Sequence, residues 1–399
     1  MKQITVTLTL ILGLFVAQIH AQDTLRNKKN GGYLFTVVKN LDATVVQDQN
    51  RTGTCWSFSA LSFLESELIR TGKGKINLSE MFIVRMAYID KAEKYVRMGG
   101  NMNFGQGGAF HDIPYVVKKY GLMPEEAYAG LSYGEEKHNH SEMEAMLKAV
   151  LDVVIKNPNG TLSTSWKSAY ASILDAYLGK LPESFMFQGK SYTAKTFAEF
   201  TGLKMDDYAI ITSFTHHPFY ESFIFEVADN WAWGSCYNVP LNEMIEVIDN
   251  SISKGYSVAW ASDVSEKGFN YREGLAVVPA SEDQIKKQGA DNKHFNDAGS
   301  VKTGNIFESP GAEKEITQEM RQLAFDNYQS TDDHGMHITG IVKDQTGKKF
   351  YIVKNSWGTK NNDCDGFFYA SEAYVKYKTM NIMVHKDALP KETKKKLKL

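Results

Sequence analysis

The chain has 399 residues, 43% of them hydrophobic and 23% charged, with a formal net charge of −2. That length and apolar content exclude a disordered chain and exceed one simple core, so two lobes plus an insertion are expected. The near balance of charge excludes a globally basic nucleic-acid binder.

Residues 1–21 read as a targeting segment. Lys2 is followed by an apolar run from Ile4 to Ala17, and Ile19-His20-Ala21 is similar to a small-residue cleavage site before Gln22. The alternative is a membrane anchor, but the run is shorter than the roughly 20 residues a helical span needs. No later stretch is long and apolar enough for one. Cleavage removes one Lys, leaves a mature charge of −3, and predicts an exported protein, periplasmic or secreted. Gln22 to Leu41 is polar and then extended, a strap across the core.

Next comes Gln49-Asn50-Arg51-Thr52-Gly53-Thr54-Cys55-Trp56 and an apolar run to Ile69. A run apolar nearly all round predicts a buried helix, with Thr52 or Thr54 as its cap. Cys55 then sits in the first turn, where a helix N-terminus favours a thiolate. Gln49 is close enough to fold back and donate an amide hydrogen bond. Taken alone, the stretch also fits a buried structural cysteine. Leu78-Ser79-Glu80 opens a second helix to Tyr95, capped by Asn77 or Ser79. Gly99 to Gly108 is a Gly-rich loop without the Gly-Lys-Ser/Thr of a phosphate site. Ala109 to Tyr120 is a helix stopped by Gly121. Ser141 to Leu181 has helical periodicity broken at Asn157-Pro158-Asn159-Gly160, a helical hairpin.

From Asp207 the period becomes that of strands, at 208–212, 257–261, 337–341, 350–353, 367–369 and 380–384, with a helix over 238–255 and a polar loop over 280–310. The strand of His337-Ile338-Thr339-Gly340 delivers a histidine. The next ends in Asn355-Ser356-Trp357-Gly358. Cys, His and Asn in that order supply a nucleophile, a base and a group that orients the base.

Those residues resemble the papain superfamily of cysteine peptidases. Two departures locate the branch. Position 52 is Thr where papain-like enzymes usually carry a further Cys. His337 and Asn355 stand 282 and 300 positions after Cys55, where about 130–150 is usual. A papain-like core with a large insertion is similar to the bleomycin hydrolase and aminopeptidase C branch. The resemblance implies an α+β, papain-like two-lobe fold: signal peptide 1–21, helical lobe 22–140, helical insertion 141–206, β-rich lobe 207–386 and basic tail 387–399. It implies hydrolysis of peptide bonds by Cys55, His337 and Asn355, with Gln49 in the oxyanion hole. Gly107 and Gly108 let an extended peptide approach, and Trp357 shields the His337–Asn355 bond and borders the substrate site. Asp332 and Asp333 are candidates to tune the histidine.

Peptides are the partners implied, with no cofactor, metal or nucleic acid. A homohexamer is implied by the branch, whose relatives are mostly cytosolic, so export points to extracytoplasmic peptides. His138, His140, His216 and His217 read as polar-loop histidines rather than metal ligands. Cys236 and Cys364 are either a disulfide or two free thiols. Relatives act as aminopeptidases because their C-terminal tail lies in the cleft. Here the tail is Lys-rich, which predicts a solvated end and keeps endopeptidase or oligopeptidase cleavage as the rival reading. A non-catalytic peptide-binding protein on the same fold is the remote alternative.

Overall fold

The computed structural model describes residues 24–157, 160–289 and 300–399. The targeting segment expected at 1–21 lies outside them. The chain begins with β1 (Thr24–Arg26) and β2 (Leu34–Asn40). The helix of the nucleophile, α1 (Cys55–Arg70), buries every residue from Trp56 to Leu68, which explains its apolar composition on all sides. Its cap differs from expectation: Thr54 makes no capping bond, and its hydroxyl lies 2.6 Å from that of Thr52. In α2 (Glu80–Arg97) the expected Ser79 cap is present, accepting from Phe82 N at 3.0 Å. After α3 (Asp112–Tyr120), Gly121 turns the chain at φ +97, where a Cβ would lie 2.2 Å from the Ala194 carbonyl.

The expected hairpin is α4 (Ser141–Ile155) and α5 (Ser165–Leu178). Met143, Leu147 and Leu151 face inward from α4, and Tyr170, Leu174 and Leu178 from α5, each at the four-residue spacing of one helix face. They join the same core as α1 and α2, so the insertion thickens the helical lobe. A hairpin of β3 (Phe185–Phe187) and β4 (Lys190–Tyr192) and then α6 (Ala194–Thr201) complete it.

The second lobe follows with β5 (Tyr208–Thr212), β6 (Ser222–Ile224), β7 (Ser235–Asn238), α7 (Leu241–Ser253), β8 (Val258–Ser262), β9 (Phe269–Asn270) and β10 (Leu275–Ala276). The stretch expected to be a polar loop contains β11 (Lys286–Gln288), β12 (Val301–Thr303) and a turn, α8 (Asn305–Glu308), whose Ile306 and Phe307 are buried. Then come α9 (Gln318–Asp326), β13 (His334–Lys343), β14 (Lys349–Lys354), β15 (Phe367–Ser371), α10 (Glu372–Lys378), β16 (Thr379–His385) and α11 (Lys391–Lys396). The main sheet runs β6-β7-β5-β16-β8-β13-β14-β15-β10-β9.

Strand β13 is the spine. Its first half pairs with β8 and its second half with β2, both antiparallel. Residues 24–40 therefore belong to the β-rich lobe, a correction to the boundary expected at 22–140. Tyr33 and Phe35 are buried there against Val342 and Phe350.

The basic tail also departs from expectation. It is ordered and packed: Leu389 and Leu397 enter the core beside Leu241 and Met244 of α7, and Lys396 Nζ bonds Glu243 at 2.8 Å. The lysines lie outside and the two leucines inside, an amphipathic pattern in a segment whose charge dominates its composition. Removing residues 386–399 is expected to lower the melting temperature by several degrees through loss of these two leucines, which a thermal melt checks. Among the described residues no helix is long and apolar enough to cross a membrane.

Candidate active site

Two segments far apart in sequence form one unit before Cys55 is reached. Gln49 N donates to Ser356 O at 2.9 Å, and Gly358 N to Gln47 O at 3.0 Å. The stretch that ends in Cys55 is thus fastened to the Asn355-Ser356-Trp357-Gly358 stretch. A cleft of about 250 Å³ opens between the lobes, lined by Cys55, Trp56, Gln106, Gly107, Gly108, Asp229, Asp332, Asp333, His334 and Gly335, among others.

The histidine in this cleft is His334, not His337. His334 Nε2 lies 2.7 Å from Asn355 Oδ1. That oxygen also accepts from Ser356 N at 2.8 Å, so it is an acceptor and the imidazole Nε2 carries the hydrogen. The Trp357 ring stacks on His334, with centroids 4.7 Å apart at 28°. The neighbouring Gly335 packs on the first turn of α1, where a Cβ would lie 3.2 Å from Cys55 O, and Cys55 and His334 line the same cleft.

His337 is fully buried. Its Nδ1 is 3.0 Å from Ser62 Oγ and its ring meets Phe63 edge-on. Burial, and then the charge of Lys354, hold it well below the usual imidazole range. The reason for the difference is the pleat. Side chains along a strand alternate faces, so positions three apart point oppositely. Gly335 and His337 face α1. A Cβ on Gly335 would lie 2.5 Å from Ser59 Oγ. Met336 and Ile338 enter the β-lobe core. His334 opens the strand on that second face, where Asn355 and Trp357 meet it. Sequence held a signal for this assignment: His334 starts its strand directly after Asp333, whereas His337 sits mid-strand between apolar neighbours.

The other expected residues divide. Asn355 orients the imidazole, though of His334. Trp357 covers that bond and is nearly buried, outside the cleft lining, so the substrate-contact role expected for it is corrected. Gly107 and Gly108 do line the cleft. Their lack of a Cβ is required by the protein itself: a Cβ on Gly107 would lie 1.9 Å from Asp229 Oδ2, and one on Gly108 2.7 Å from the Trp56 ring. Gln49 is fully buried. Its Nε2 donates to Thr52 O at 2.7 Å and its Oε1 accepts from Ser356 Oγ at 2.6 Å, so it ties the two segments together and does not line the cleft. Asp332 lies in the lining. Asp333 accepts from Thr331 Oγ1 at 2.7 Å and from Ser265 N at 3.1 Å.

The electrostatics of the thiol differ from what a helix start alone predicts. Burial pushes Cys55 up to about 12; Asp332 and Asp229 add to this, and the N–H groups of Gly335 and Trp56 oppose it. The helix start alone therefore does not supply the thiolate, which needs a cationic partner beside it. All three cysteines are free, the bland alternative for Cys236 and Cys364. His140 is buried at the start of α4, against expectation, and burial drives it down to about 3. His216 and His217 share Glu226, at 2.8 and 3.2 Å. Gln322 Nε2 donates to His216 Nδ1 at 3.0 Å, so His216 Nε2 carries a hydrogen and gives it to the carboxylate.

Comparison with known proteins agrees with this geometry. The model of the papain family of cysteine proteases matches residues 36–175, which hold Cys55 and Gly107. That of the peptidase C1-like family matches 289–399, which hold His334 and Asn355. The chain belongs to the papain superfamily of cysteine peptidases.

Within it, the similarity is to the aminopeptidase C branch. The chain is 22% identical to aminopeptidase C of Streptococcus thermophilus, over 93% of this chain and 86% of that one. It is 24% identical to aminopeptidase C of Lactobacillus delbrueckii subsp. lactis, over 89% and 82%. It is also 24% identical to the mitochondrial cysteine proteinase 1 of Saccharomyces cerevisiae, over 94% and 82%. The crystal structure of PepW from Lactobacillus rhamnosis shares the fold, with a TM-score of 0.69 at 20% identity, over 91% of this chain and 84% of that one.

Proposed function

We propose that this cysteine peptidase is an aminopeptidase on oligopeptides, with Cys55 as nucleophile, His334 as its acid and base, and Asn355 as the group that orients His334. The observation that carries the assignment is the 2.7 Å contact between His334 Nε2 and Asn355 Oδ1 in the cleft that Cys55 lines. Nε2 is committed to Asn355, so Nδ1 is the position that exchanges a proton with the thiol. The Cys55 thiolate attacks the scissile carbonyl. The His334 imidazolium then protonates the departing amine, and the ring returns as base to activate the water that hydrolyses the acyl-enzyme. Trp357 keeps water from the His334–Asn355 bond.

A primary amide has two N–H groups. Gln49 gives one to Thr52, and we assign the other, reaching the cleft from behind its lining once substrate is bound, with the backbone N–H of Cys55, to the developing oxyanion. Gln49→Ala is expected to lower kcat by about 100- to 1000-fold with a smaller change in KM, because the oxyanion exists only in the transition state. Steady-state kinetics on an aminoacyl amide check it, and a change confined to KM would make Gln49 a ground-state contact.

Endopeptidase cleavage is the second reading. It is favoured by the packing of residues 386–399 against α7, none of which is among the described residues that line the cleft. An unblocked aminoacyl fluorogenic amide compared with its N-acetylated form separates the two: hydrolysis confined to the unblocked amide supports the exopeptidase, and equal rates refute it. From the resemblance of the chain to its branch and of residues 1–21 to a signal segment, we further propose a homohexamer exported after cleavage before Gln22. Light scattering and N-terminal sequencing of the native protein test these.

A further inference from the structure

The Gly-rich wall of the cleft is set by Lys91, whose buried Nζ donates to the carbonyls of Gly105 at 2.8 Å and Gly107 at 2.5 Å. Onto this wall comes a loop from the other lobe, residues 225–234 between β6 and β7. The loop is pinned at several points. Trp231 Nε1 donates to Asp112 Oδ2 at 2.7 Å. Asn230 Nδ2 donates to the carbonyls of Phe225 and Gly234 at 2.8 and 2.9 Å. Gly234 lies against His111, where a Cβ would come within 2.1 Å of the ring. Lys94 Nζ sits 3.4 Å above the Trp233 ring.

What the loop delivers to the cleft is Asp229. Its Oδ1 accepts from Asn103 Nδ2 at 3.0 Å, and its Oδ2 stands against Gly107. The chemistry of the reaction orients a peptide relative to it. His334 protonates the leaving amine, so the C-terminal part of the substrate lies on the His334 side of Cys55. The acyl part then extends the other way, along Gly107 and Gly108. There a rigidly held carboxylate stands across its path.

We propose that Asp229 receives the protonated α-amine of the peptide and closes the cleft beyond it, and so sets exopeptidase specificity. An ammonium donates charge-assisted hydrogen bonds to a carboxylate, and in a cleft already lined by Glu144, Asp332 and Asp333 a cation is drawn in where an anion is repelled. An N-acetyl group has neither the charge nor the room. This inference rests on the aminopeptidase reading. Glu144 is the less suited carboxylate, since its Oε1 stands by Gly105, two residues along the wall from Gly107, where Asp229 Oδ2 lies.

The test uses the full chain, wild type, Asp229→Asn and Glu144→Gln, with an aminoacyl methylcoumarylamide and its N-acetylated form. Asp229→Asn keeps the shape of the side chain. It is expected to raise KM for the unblocked amide at least tenfold with kcat changed less than threefold, and to narrow the preference over the acetylated amide by a similar factor. Wild-type KM is expected to rise above about pH 8 as the α-amine loses its proton, and the variant to lose that rise. If wild type discriminates but Asp229→Asn leaves KM and its pH profile intact, the anchor is refuted and the aminopeptidase reading stands. Equal losses on both amides would show a structural role only and also refute it. A KM effect in Glu144→Gln and not in Asp229→Asn moves the anchor and overturns the assignment. Equal wild-type rates on both amides overturn reading and anchor together.

Discussion

His334→Ala is expected to lower kcat for a peptide amide by at least about 1000-fold, while His337→Ala keeps a folded, active site of lower stability. Loss of the acid and base typically costs about 100- to 10,000-fold by itself, and here the same ring also sustains the thiolate, so the two losses fall together. His337 touches Ser62 and Phe63 and lies on the far face of β13. Truncating it removes a buried ring and one of two partners of the Ser62 hydroxyl, which Lys354 Nζ still meets at 2.8 Å, a cost of about 2–4 kcal/mol.

The pH dependence of stability gives an independent reading of His337. Its folded pKa is depressed by burial, so below about pH 6.5 the unfolded chain binds a proton that the folded chain refuses. Stability then falls as pH falls from about 6.5, and His337→Phe should remove part of that slope. Kinetics together with urea melts at pH 5 and 8 check both variants. Full activity in His334→Ala, with loss in His337→Ala at unchanged stability, would restore the assignment read from sequence.

Cys55→Ser is expected to reduce turnover to below a few per cent of wild type with the melting temperature unchanged, since a hydroxyl fits the space but does not ionise against an imidazole. A vinyl-sulfone reagent should label Cys55 stoichiometrically at neutral pH. Cys236 is buried with a raised thiol, and Cys364, pushed up to about 12 by burial, gives its sulfur to Asn27 O at 2.8 Å. Neither lines the cleft that holds His334, so both should stay unlabelled. Cys55 is itself pushed up by burial, so its reactivity should collapse in His334→Ala. Mass spectrometry of the labelled protein reads all three thiols at once. Persistent labelling of Cys55 in that variant would mean that the helix start alone makes the thiolate.

Cys55 and Asn355 were legible because each sits in a local pattern whose chemistry is written nearby: a glycine turn into an all-apolar helix, and a strand ending in Asn-Ser-Trp-Gly. The histidine was misread, because His334 and His337 belong to one strand and the pleat, fixed by pairing with β8 and β14, decides which meets Asn355; the local cue was the place of His334 at the strand start after Asp333. The tail misled through composition. Five lysines over residues 387–399 hide Leu389 and Leu397, and burial of two leucines decides where the segment lies. Asp229 was invisible for another reason. Nothing in residues 225–234 says that a loop between the edge strand β6 and its neighbour β7 reaches across to the Gly-rich wall; that follows from Trp231 finding Asp112.

The division of the site between the ends of the chain also governs its birth. Synthesis from the N-terminus exposes Cys55 early, and the helical lobe, rich in local contacts, has all its helices by residue 201. The imidazole comes 279 positions after the thiol, and Asn355 later still. Strand β2 waits as long for β13, its partner in the sheet. A nascent chain on the ribosome, or one cut short before residue 334, therefore carries the thiol without its imidazole and has no proton donor. The enzyme is expected to stay silent toward its neighbours until the last strands dock.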